Sequence, residues 1–274
     1  MRVFVERVES YRDAGKFVEK AFELFNPEFK YLKPNFLKFD NPKNGCITHP
    51  DLIKAIINVA RECGMEDLKV IEGGFYRDSA EKCFVEFGLK EVAECVNLNV
   101  DEFVDVEIGG EALKSVKVAK TALKARGSYL TVPKLKVHHL TKATLGIKNN
   151  MGFLKKPAIY MHRNIHQKLV DLLSFFQPSF VIIDGIIGGT NSEMRPKPVK
   201  HKVLIASDNV IAADIVGAKL MGFSPSEIQH LMLAMQMFGI SELDVEIVAN
   251  PGIEKLVKHY SLSLSSRMLG RLGI

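Results

Sequence analysis

The chain has no tryptophan, few cysteines and no apolar run near the roughly 20 residues that a membrane-spanning helix needs. Its four cysteines, Cys46, Cys63, Cys83 and Cys95, form no CxxC pair. Thiolate ligands for structural zinc or an iron–sulfur cluster usually arrive in such pairs, so no cluster is expected. A chain of 274 residues can bury a core large enough to dispense with disulfides, and buried, unreactive thiols are expected instead. The dinucleotide pattern GxGxxG and the P-loop are both missing, which removes the commonest nucleotide cradles. The N-terminus, MRVFVERVESYRDAG, alternates apolar and charged residues as a strand does, and it lacks the apolar centre of a secretory signal. No membrane partner is expected, and the expected location is cytoplasmic.

Acid is the most unevenly distributed feature. From Ala112 to Val170 there are 13 Lys and Arg and not one Asp or Glu, whereas the rest of the chain carries 24 basic and 32 acidic residues. Such asymmetry predicts that the middle of the chain faces negative charge.

Apolar periodicity alternates between strand and helix. Strands are predicted over Arg2–Val8, Phe29–Leu32, Leu68–Ile71, Tyr129–Val132, Phe180–Ile183, Val203–Ala206 and Val245–Val248. Helices are predicted over Ser10–Leu24, His49–Cys63, Ser79–Glu86, Glu111–Ala125, Ile165–Phe175, Asn209–Met221, Ser226–Phe238 and Ile253–Tyr260. Asp51 and Asp208 fall near helix starts, and Gly64, Gly222 and Gly239 just past helix ends. Short, continuously apolar strands separated by helices indicate an α/β fold with an open, mostly parallel sheet and helices on both faces. Residues 1–274 read as a single α/β domain or two intimate lobes. The stretch Gly185–Lys200 reads as a functional loop, and residues 261–274, SLSLSSRMLGRLGI, as a weakly amphipathic basic tail.

In open α/β sheets ligands collect beyond the carboxyl ends of the strands. The predicted strands run into Lys33-Pro34-Asn35, Glu72-Gly73-Gly74, Pro133-Lys134-Leu135-Lys136, Asp184-Gly185 and Ser207-Asp208-Asn209. The densest chemistry lies in PKLKVHHLTKATLGIKNNMG, residues 133–152, where Lys134, Lys136, Lys142, Lys148, His138 and His139 interleave with Thr141, Thr144, Asn149 and Asn150. Many donors and few acceptors suit carboxylate or phosphate oxygens. Adjacent histidines on an extended segment point to opposite faces, so one of His138 and His139 is expected to face the ligand. Asn149-Asn150-Met151-Gly152 reads as a tight turn able to aim backbone amides at an oxyanion. His162 and His166 have the i, i+4 spacing of a zinc-binding helix but lack its glutamate.

The run KPNF, then GCITHPDLIKAIINVARECG, VIEGG, PKLKVHHLTKATLGIKNNMG, IIDGIIGG and IASDNVIAADIVGAKLMG resembles the family catalogued as domain of unknown function 362. The resemblance spans about residues 28–250, and the lysine–histidine segment is its most specific part. It implies Lys33, Asn35, Thr48, His49, Lys134, Lys136, His138, Thr144, Lys148, Asn149, Asn150, Asp184 and Asp208 as site residues, with Gly152, Gly185 and Gly217 present for backbone reasons. Ferredoxin-type cluster domains are fused to many members. This chain has no such cysteine motif, so intrinsic electron transfer is not expected.

Three functions follow as expectations. The first is an enzyme acting on a small carboxylate or phosphate. His138, His49, Lys148 and Asp184 are its catalytic candidates. Lys33, Asn35, Thr48, Lys134, Lys136, Thr144, Asn149, Asn150, Gly185 and Asp208 would bind the ligand. A divalent metal, if one is used, would rest on Asp184 and Asp208. The second is a non-catalytic accessory or cofactor carrier for an iron–sulfur redox partner. The third, nucleic-acid binding, is disfavoured because Tyr129, Phe153 and Tyr160 are the only aromatics in the basic stretch. The sequence specifies no cofactor and leaves oligomerisation open.

Overall fold

A computed structural model describes residues 1–272. In chain order its strands are β1 (Arg2–Arg7), β2 (Tyr31–Pro34), β3 (Lys69–Glu72), β4 (Glu94–Asn97), β5 (Phe103–Glu107), β6 (Ser115–Ala119), β7 (Tyr129–Val132), β8 (Lys134–His138), β9 (Lys142–Thr144), β10 (Phe180–Thr190), β11 (Lys197–Ser207) and β12 (Glu246–Asn250). The central sheet runs β12-β1-β11-β10-β7-β2-β3-β4, with β8 added to β10 and β9 to β8. Pairing is parallel except at β1–β11, β10–β11 and β8–β9. The α/β fold with a mostly parallel sheet is therefore as expected.

Alternate residues of the buried strands feed two cores. Leu32, Val70, Leu130, Val132, Ile182 and Leu204 face helices Ala14–Phe25 and Pro50–Glu62. Val5, Ile71, Val181, Ile183 and Ile205 face helices Ile165–Phe175, Val210–Leu220 and Gln229–Phe238. Both sheet faces are covered, which is why these strands read as continuous apolar runs. Among the described residues no helix is long and apolar enough to cross a membrane.

Three expectations about elements are corrected. The segment Glu111–Ala125 holds strand β6 and a short helix, Lys120–Ala125, because Ser115–Ala119 pairs with β5 in a separate two-stranded sheet. Only Ile253–Lys255 of the helix expected over Ile253–Tyr260 forms, as one 3-10 turn. The stretch Gly185–Lys200 is mostly ladder, with β10 and β11 forming a hairpin whose connection holds Glu193. In the tail, Leu264–Leu272 is helical; the last two residues lie outside the described ones.

Candidate active site

The site is built on one face of β8. Period-2 geometry puts Lys134, Lys136 and His138 on the same side, while Leu135 and Val137 enter the apolar core opposite. Strand β9 turns back so that Thr144 lies opposite Lys136 and adds its side chain to the polar face. Four lysines then meet four fates.

Lys134 is fully buried and pairs with the equally buried Asp184, 2.8 Å from Nζ to Oδ2. The Tyr11 hydroxyl donates to Asp184 Oδ1 at 2.8 Å, and the His49 amide donates to Oδ2 at 2.9 Å. The Tyr11 and His49 rings stack at 3.7 Å between centroids. Burial lowers the Lys134 pKa and the Asp184 charge opposes that shift. Burial likewise lowers the His49 pKa, against the pull of Asp184 and Asp51. His49 Nδ1 accepts from the Asp51 amide at 3.3 Å, as an N-cap does.

Lys33 is spent on Glu72, with Nζ 2.9 Å from both carboxylate oxygens. The amides of Phe36 and Gly73 donate to the same carboxylate at 3.0 and 2.8 Å. Gly152 closes over this pair. A Cβ there would stand 2.5 Å from Glu72 Oε1 and 2.6 Å from Lys33 Nζ, so only glycine fits. Glu72 was not among the sequence candidates. Its signal was a carboxylate ending an apolar strand before two glycines.

Lys136 is buried and donates to the Cys46 carbonyl at 2.8 Å. Lys148, on the short helix Gly146–Asn149, differs from the other three. Its Nζ lies 3.5 Å from Met151 Sδ and makes no ion pair among the described residues. The residue keeps partial solvent access, while its ammonium is enclosed enough for burial, helped by the Lys136 charge, to lower the pKa to about 8.

Asn149 and Asn150 face inward. The Asn149 amide donates to the carbonyls of Lys33 and Pro34 and to Thr131 Oγ1, and its oxygen accepts from Asn35 Nδ2 at 3.1 Å. Asn150 accepts from the Tyr129 hydroxyl and donates to the Phe176 carbonyl. Thr48 accepts from the Asn35 amide at 2.8 Å and donates to the Val132 carbonyl at 2.6 Å. These three side chains pin strand ends to loops. The amides of Gly146 and Ile147 are also taken, both by the buried Asp214 carboxylate. The oxyanion turn expected from Asn149 to Gly152 is instead a helical segment running into a 3-10 turn.

His138 and His139 do not part to opposite faces. Strand β8 ends at His138, and the chain turns there, so the two rings stack at 4.8 Å. His138 Nδ1 accepts from the Leu140 amide at 3.2 Å, placing the proton of the neutral ring on Nε2. Burial, then the charges of Lys148, His139 and Lys136, hold its pKa well below the usual range. His139 Nδ1 lies 2.6 Å from Glu193 Oε1. His138, His139 and Glu193 can each offer an atom to a common ion, all within 4.8 Å. His139 and Glu193 are already bonded to each other, and the Lys136 and Lys148 charges act against a cation beside His138.

Asp208 lies apart. It is exposed, and because β11 runs antiparallel to β10 it follows Ser207 beside Val181, at the rim opposite Asp184. The helix cap belongs to Asn209, whose side chain accepts from the Ala212 amide. Asp184 and Asp208 therefore cannot share an ion. Gly185 is a packing residue, since a Cβ would meet Val203 and Leu135 at 2.9 and 3.0 Å. His162 and His166 are not on one helix: Asn164, at φ 63°, breaks the chain between them. His166 instead lies parallel to His230, with ring centroids 6.0 Å apart. His230 carried no sequence signal, sitting in a mixed helical stretch with no motif.

The sequence profile of the domain of unknown function DUF362 matches residues 31–219. The chain belongs to this family. It is also similar to a thylakoid-associated protein of Synechocystis sp., 25% identical over 227 residues, which span 79% of this chain and 70% of that one. In fold it resembles a crystallised protein from Thermotoga maritima, with a TM-score of 0.50 at 12% identity over 84% of this chain. The match covers 60% of the Thermotoga protein's length.

Proposed function

We propose that this family member is an enzyme that binds a small carboxylate or phosphate at Lys148 and acts on it by proton transfer. The observation that carries the reading is the contrast among four lysines. Lys33 and Lys134 face carboxylates, Lys136 faces a carbonyl, and Lys148 alone is enclosed with a thioether as its nearest acceptor while retaining solvent access. An enclosed ammonium without an anion is costly, and a ligand oxygen would relieve that cost. Thr144 Oγ1, buried and without a partner among the described residues, and the Nε2–H of His138 supply further donors. Burial and nearby cations favour the neutral form of His138, whose Nε2–H can be passed to a bound group.

Calorimetric titration with inorganic phosphate and with citrate tests the reading. Lys148→Met should weaken the bound anion at least tenfold without loss of fold. Equal affinity in parent and variant would refute it.

An accessory role beside an iron–sulfur partner is the second reading, supported by Phe39, Phe75 and Tyr76, each about half-exposed. Phe75 is tied to Leu37 by a backbone bond of 2.6 Å, which holds these aromatics at the β2–β3 rim. Exposed aromatic clusters of this kind mark protein-docking surfaces. Substituting all three by Ser should abolish partner recovery in a pull-down if this reading holds. Nucleic acid fits less well. Lys117, Lys120, Lys134 and Lys142 are each paired with a carboxylate, which draws charge from any polyanion-binding face.

A further inference from the structure

Beyond Lys148 the interior continues into a region of unpartnered, uncharged polar atoms. His230 is fully buried, and neither ring nitrogen has a partner among the described residues. His166 Nδ1 is likewise buried without one. The helix carrying Lys148 packs on Ile165–Phe175, which bears His166, and that helix packs on Gln229–Phe238, which bears His230. The chain of contacts is continuous. The Lys148 charge reaches His230, where it adds to burial and the neighbouring His166 in disfavouring the imidazolium. Burial therefore favours the neutral, donor–acceptor form of both rings, which adds no positive charge for a second anion.

An imidazole with two unsatisfied nitrogens inside a protein is rare, because buried polar groups are almost always hydrogen-bonded. An apolar side chain would fill the same space at lower cost if packing were its only task. A group that both donates and accepts, such as a hydroxyl, matches a neutral imidazole. A carbonyl oxygen matches only its N–H. We infer that His166 and His230 form a neutral subsite for the hydroxyl-bearing part of a ligand whose anionic end rests at Lys148. The ligand class is then a hydroxylated phosphate or carboxylate several atoms long. This rests on the Lys148 reading and narrows it from any small anion to one carrying hydroxyl groups.

The test separates the two subsites with three probes: inorganic phosphate, ribose 5-phosphate and gluconate. The parent should bind both hydroxylated probes at least tenfold more tightly than phosphate. His230→Phe, which keeps a planar aromatic ring and removes the nitrogens, should erase that preference and leave phosphate affinity unchanged. Lys148→Met should weaken all three. A parent with no preference for the hydroxylated probes overturns the subsite, as does a His230→Phe change that weakens phosphate and ribose 5-phosphate equally. If phosphate binding survives in those cases, the anion site stands without the subsite. A measurement on the unmodified protein covers a variant that fails to fold. The ¹⁵N signals of His230 should shift on titration with ribose 5-phosphate and stay still with phosphate. Unmoved signals with both probes mean the nitrogens meet only water, and the inference fails.

Discussion

Lys134 Nζ stands 2.8 Å from Asp184 Oδ2, both side chains wholly removed from solvent, although the two lie 50 positions apart in sequence. The pair forms where two parallel strands come into register, Asp184 beside Lys134, and the Tyr11 hydroxyl closes it by donating to the carboxylate. Its geometry is that of a structural fastening between β8, β10 and the N-terminal segment. Lys134→Met would strand a carboxylate in the interior, and about 3–5 kcal/mol of stability should be lost, as for other buried pairs deprived of one partner. The double change Lys134→Met with Asp184→Leu should recover most of it. Urea unfolding of the two variants decides this; equal destabilisation would mean that the ion pair contributes through packing alone.

Anion binding should depend on the charge of Lys148. Burial beside Lys136 brings its pKa down to about 8. The ammonium is full below that value and is lost as pH rises through it. Affinity for phosphate, after correction for phosphate's own titration, should be level from pH 6 to 7.5. Above about pH 8 it should fall up to tenfold per unit, as expected when one proton is linked to binding. Lys148→Arg should move the decline beyond the accessible range. A profile that is flat to pH 9.5 in the parent contradicts Lys148 as the anchor.

Asp214 should shape stability in acid. It lies in the almost wholly apolar helix Val210–Leu220, and burial pushes its carboxyl up to about 7 although two backbone amides donate to it. A folded-state pKa above the ordinary 3.8 means the native protein binds the extra proton between those values. Its contribution therefore declines as pH rises from 3.8 to about 7, at up to about 1.4 kcal/mol per unit. The difference in unfolding free energy between parent and Asp214→Asn, followed over that window, should carry this slope. A pH-independent difference would place the native carboxyl near its ordinary range.

Much of the site could be read from residue order because it is local. The alternation Lys134, Lys136, His138 fixes a cationic strand face whatever the fold. The run of donors through Lys148 gathers lysine, histidine and asparagine side chains in one neighbourhood without coordinates. What was misread depended on direction or partnership. Asp208 looks equivalent to Asp184, since both follow apolar strands, yet an antiparallel strand delivers its end to the opposite rim. The stretch without acids looks like an open basic face, yet Asp105, Glu102, Asp184 and Glu227 arrive from elsewhere to meet four of its lysines.

The sequence by itself determined the alternating α/β architecture and the location of the charged segment, because periodicity and composition act over a few neighbouring residues. Only the tertiary structure decided which lysines meet a carboxylate and which, like Lys148, meet none among the described residues. Charge pairing inside a protein is settled by approach within about 4 Å, and strand order brings together residues that no short-range pattern connects.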